Sequence, residues 1–131
     1  MTIDVSIESG VYGRLIVARL KPNEDLIESI EAMCVEHDIQ RAVVRGVVGS
    51  LTAATLLRGD ALSVREQCVA GPGVEILNVF GEVNVVGGLP TSHLSGIVAD
   101  TNGDLFAGRF KKGANLSFIT IEASIQEWLP A

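Results

Sequence analysis

The sequence predicts an α+β domain: a mainly antiparallel sheet packed against one main helix. Three observations carry this. Only one stretch, residues 21–39, has the 3.6-residue apolar period of an amphipathic helix. Nearly all the rest is apolar and β-branched runs of strand length, cut by glycines and turn residues. No alternation of helices with strands suggests a parallel sheet.

The elements follow in order. Residues 11–20, VYGRLIVARL, read as a strand carrying Arg14 and Arg19. In 21-KPNEDLIESIEAMCVEHDI-39, Leu26, Ile27, Ile30, Met33 and Cys34 fall on one helical face. Asn23 is the expected N-cap, with Glu24 and Asp25 in the first turn, where the helix dipole favours carboxylates. Residues 39–57 read as strand, with Gly46 and Gly49 marking kinks or a bulge. An edge strand is expected at 61–69, a turn at 70-AGPG-73, and a strand at 74–86 ending in 87-GGLP-90. A hairpin over 92–113 and a last strand at about 115–127 complete the chain.

The whole length, 1–131, reads as one domain, long enough to bury roughly two thirds of its unfolded surface without staples. Two cysteines without a C-x-x-C spacing, no signal-peptide pattern and no apolar run of membrane-spanning length predict a reduced, cytoplasmic protein with no membrane association. The net charge of −6 and the acidic outward face of the helix oppose DNA binding through the overall field. Several strands are apolar on both sides, and one helix cannot cover both faces of so large a sheet. An oligomer follows, or else a closed barrel.

Four stretches together resemble the plant-and-prokaryote conserved domain, PPC or PCC. They are 20-LKPNEDLIESIEAMCVEHDI-39, 46-GVVGSLTAATL-56, 71-GPGVEILNVFG-81 and 93-HLSGIVADTNGDLFAGRF-110, in family order over about residues 14–123. The resemblance implies an antiparallel sheet with a helix, assembled as a homotrimer. In plants the domain is joined to AT-hooks; this chain carries no such Arg-Gly-Arg-Pro arm. In similar prokaryotic proteins three histidines of the hairpin hold zinc. Here those positions are His93, Ser95 and Arg109. A serine and an arginine cannot complete a zinc site, so no metal and no cofactor is expected.

The turn decides whether those three residues share a face. Asp at the first turn position and Gly at the fourth favour the three-residue loop Thr101-Asn102-Gly103, which pairs Ser95 with Arg109. In that register Leu94, Val98, Phe106 and Phe110 lie with Gly96 and Gly108 on one face, and His93, Ser95, Ile97, Ala107 and Arg109 on the other. Arginine suits bidentate binding of carboxylate or phosphate. The expected ligand site for a small anion is His93, Ser95 and Arg109, joined by Arg45 if it reaches the same cavity. The competing reading makes Arg45 and Arg109 structural ion pairs with Glu75, Glu82 or Asp100. The competing function is a DNA-binding or transcription-associated module.

Weaker motifs carry less. 100-DTNGD-104 lacks the glycine and final glutamate of a calcium loop. A Ser95, His93 and Asp100 set fails because Asp100 falls on the opposite face. The glycines of 44-VRGVVGS-50 lack a phosphate loop's strand–loop–helix setting. His37 reads as a solvated helix end, Cys34 as core and Cys68 as an inert edge residue.

Overall fold

In the computed structural model, which describes residues 2–60 and 62–131, the strands are β1 (Gly10–Leu20), β2 (Arg41–Leu51), β3 (Ala54–Arg58), β4 (Arg65–Val69), β5 (Val74–Val86), β6 (Leu89–Ala99), β7 (Leu105–Phe110) and β8 (Ser117–Pro130). One helix, α1 (Leu26–Glu36), stands between β1 and β2. The eight strands form one sheet in the order β1-β8-β2-β5-β6-β7-β3-β4. Every neighbouring pair is antiparallel.

The helix is shorter than its periodicity suggested. Asn23 is not the N-cap: it sits at φ 70° and donates its N–H to Ser117 O. Asp25 caps instead, because one carboxylate oxygen accepts from the N–H groups of Ile27 and Glu28. Its other oxygen takes the N–H of Asn115, at 2.9 Å. Asn115 is fully buried, and its amide bonds Thr55 N, Thr55 O and Lys111 O. One buried polar hub therefore ties the helix start to β3 and to the loop before β8. That hub also explains why the last strand begins at Ser117 rather than 115.

The single strand expected at 39–57 is two. The chain turns at Thr52-Ala53, and the Thr52 N–H bonds Leu116 O. Beyond the turn β3 leaves β2's neighbours and pairs with β7 and β4. No glycine or proline marks this corner, so the apolar run hides it. The glycine kinks are present: β2 shifts register against β8 between Val44 and Gly46 and between Gly49 and Leu51. The edge strand expected at 61–69 occupies Arg65–Val69 and is an edge; residue 61 lies outside the described residues.

Leu26, Ile27, Ile30 and Cys34 bury against β5 and β6, where Val79, Val83, Leu94 and Val98 meet them in one core. Burial pushes the Cys34 thiol up to about 11, with the charges of Glu31 and Glu127 adding to it. The face away from the helix keeps Leu15, Val17, Val48 and Phe80 exposed. The described residues include no helix long and apolar enough to cross a membrane.

Candidate functional site

The β6–β7 hairpin closes through Thr101-Asn102-Gly103. The Asp100 carboxylate accepts from the N–H groups of Asn102 and Asp104, each at 2.9 Å, and Gly103 takes φ 85°. Asp100 N–H bonds Asp104 O, and the ladder runs from Ala99↔Leu105 to Ser95↔Arg109. This is the three-residue loop and the register that the turn chemistry favours.

The two faces of the hairpin differ. Leu94, Val98 and Phe110 are buried and Phe106 packs beside them. Gly96 has no room for a side chain: a Cβ there would lie 2.0 Å from Asn78 O and 2.8 Å from the Phe110 ring. On the other face stand His93 opposite Glu82, Ser95 opposite Phe80, and Arg109 opposite Leu57 of β3. His93 and Arg109 are exposed and Ser95 is half-buried.

The β6–β7 ladder ends at Ser95↔Arg109, and β7 then continues beside β3. A hollow of about 390 Å³ lies where the strands part, lined by His93, Arg109, Ser92, Glu31 and Lys112. A second hollow, of about 440 Å³, lies on the other side of Arg109, with Ser95, Phe80, Ile97 and Ala107 in its wall. Arg109 thus stands between the two, with His93 in one and Ser95 in the other. Arg45 is exposed on β2, at the register shift, and lines neither. Three strand spacings separate its strand from β7, roughly 14 Å.

Among the described residues the ion pairs use Arg14, Arg19, Arg41, Lys111 and Lys112. Neither Arg109 nor Arg45 is paired with Glu75, Glu82 or Asp100. The first hollow also holds residues that motif reading passed over. The buried carboxylate of Glu31 accepts from Ser92 Oγ and from Lys112 Nζ, each at 2.6 Å. The hydrogen bond that Lys112 donates to Glu31, together with the charge of that carboxylate, holds the Lys112 ammonium above the ordinary lysine range. A signal was there: Glu31 falls four residues after Ile27, on the edge of the apolar stripe, and a buried acid needs a partner.

The residues at the hairpin do not fit zinc. His93 supplies one nitrogen, Ser95 a neutral hydroxyl, and Arg109 a cation without a lone pair to give. No group of three or more His, Cys, Asp or Glu among the described residues could hold a metal ion. What the arrangement offers is a guanidinium free of acid partners, an imidazole and a hydroxyl, with an ammonium fixed nearby by a buried carboxylate.

No curated protein matches the chain significantly. Solved structures do. A plant- and prokaryote-conserved protein from Pyrococcus horikoshii superposes with TM-score 0.81 at 18% identity, covering 95% of this chain and 85% of its own. A metal-containing protein from Archaeoglobus fulgidus gives TM-score 0.81 at 19% identity, covering 96% and 87%. A protein with a provisional DNA-binding name from Bacteroides thetaiotaomicron gives TM-score 0.75 at 15% identity, covering 91% and 83%. At these identities the likeness is one of fold. The family model of the Plants and Prokaryotes Conserved (PCC) domain matches residues 7–129, and the chain belongs to that family.

Proposed function

We propose that this chain is a homotrimeric binding protein for a small anion, a carboxylate or phosphate, held at His93, Ser95 and Arg109. The observation that carries the reading is Arg109: it stands between two hollows with no acid among the described residues in ion-pair contact. A guanidinium so placed can take a bidentate oxyanion without breaking a bond of its own. His93 adds a second donor from one side and Ser95 a hydroxyl from the other. The exposed Val17, Val48 and Phe80 support burial of the outer face by neighbouring copies, with the site near a subunit boundary.

Isothermal titration against a panel of organic acids and phosphates tests the reading. Binding by the wild type that weakens in Arg109→Leu is expected; no binding by the wild type sinks it. The competing role in DNA association finds support in the name of the Bacteroides protein and little in the charge of −6. A gel shift repeated at rising salt separates the two, since phosphate-backbone contacts weaken steeply with salt.

A further inference from the structure

Residues 2–8, ahead of β1, are patterned as a strand, yet they pair with no strand among the described residues. Residues 2–8, TIDVSIE, alternate polar and apolar without a break. That period belongs to a strand with one face covered. Yet Ile3, Val5 and Ile7 are 73%, 71% and 89% exposed, so they rest on no surface of their own chain. The base of the arm is held. Arg41 donates to both carboxylate oxygens of Glu8, and Ala131 N–H donates to Ser9 O at 2.8 Å.

The sheet has two open edges, β1 and β4, and their charges differ. On β1 the arginines are answered within the chain: Arg14 by Glu127 and Arg19 by Glu122. On β4 they are not. Arg65 stands directly opposite Arg58 of β3, and like charges facing across a ladder cost stability. Arg65 is in no ion pair among the described residues. Arg58 bonds only the neutral Ala107 carbonyl and Gln67 Oε1. Val64, just ahead of β4, is 48% exposed. Glu66, the acid of β4, is turned to Lys111, so these two arginines are left without one; the arm carries it in Asp4, flanked by Ile3 and Val5.

We propose that residues 2–8 of one copy add as a strand to the open edge of β4 in a neighbouring copy. Asp4 then lies beside Arg65, with Arg58 one strand further in on the same face, and Ile3 and Val5 lie on the face of Val64. Strand addition satisfies the edge's unpaired backbone groups and covers an otherwise exposed template. The contact is heterologous, from arm to edge, and so can close a ring. It rests on the homo-oligomer proposed above and names one of the contacts that would hold it.

Sedimentation velocity over a range of protein concentrations tests it, with circular dichroism confirming the fold of each variant. Deleting residues 2–8 is expected to weaken association by about tenfold or more. Asp4→Arg and Arg65→Glu each weaken it, and the double variant Asp4→Arg/Arg65→Glu restores it. Unchanged association after the deletion overturns the arm while leaving the trimer standing. A double variant no stronger than the singles overturns the docking of Asp4 at β4. A wild type monomeric at every concentration overturns both the arm and the trimer.

Discussion

Arg14 and Arg109 are borne by the same sheet and meet opposite fates. Arg14, on β1, is engaged by the buried carboxylate of Glu127, with contacts at 3.0 and 3.1 Å, and also reaches the His37 carbonyl. That bond holds the Glu127 carboxyl below the usual range and raises the Arg14 guanidinium. Arg109, on β7, has no such partner. The difference teaches what each arginine is for. One neutralises an acid that the fold has buried; the other keeps its hydrogen-bonding capacity for something from outside.

Breaking the platform under Arg109 gives the largest effect. Gly96→Val forces a side chain against Asn78 O, so unfolding in urea is expected to show a loss of about 3 kcal/mol. Anion binding should disappear with the hairpin. Exchanging the two arginines' fates is next. Arg109→Leu is expected to lower anion affinity by about tenfold to a hundredfold, by titration calorimetry, while leaving the melting temperature nearly unchanged. Arg14→Leu should do the reverse, lowering the melting temperature by several degrees with affinity intact. If both variants lose only stability, Arg109 is structural and the contrast collapses.

Acid sharpens the contrast further. The Glu127 carboxyl is depressed in the folded state, so its contribution is full above the ordinary carboxylate range. It is lost as pH falls through the lowered folded value. The stability difference between wild type and Arg14→Leu should therefore be largest near neutral pH and vanish in strong acid. The corresponding difference for Arg109→Leu should show no such dependence through Glu127. The smallest effect concerns the thiols. Cys34 is buried and pushed up to about 11, whereas Cys68 is exposed on edge strand β4. A thiol reagent at neutral pH should label Cys68 in the native protein and reach Cys34 only on unfolding.

The residues by themselves determined much of this molecule where the information is local. Strand β5 begins and ends where its apolar run does, at Val74 and Val86. The hairpin register followed from Asp100, Gly103 and the alternation of Leu94, Val98, Phe106 and Phe110, because a one-residue slip would turn every side chain over. That placed Ser95 against Arg109 and put His93 on their face. The helix start was less legible: Asn23 and Asp25 are both good caps, and a backbone N–H from residue 115 favours Asp25. Only the tertiary structure decided who meets whom at long range. Glu127 lies 113 residues from Arg14 and Lys112 lies 81 from Glu31, separations over which no periodicity specifies a partner. The lack of a partner for Arg109 is a fact of the same kind. It depends on where every carboxylate in the fold comes to rest, and that is settled when distant strands pack, not by the spacing of residues along one of them.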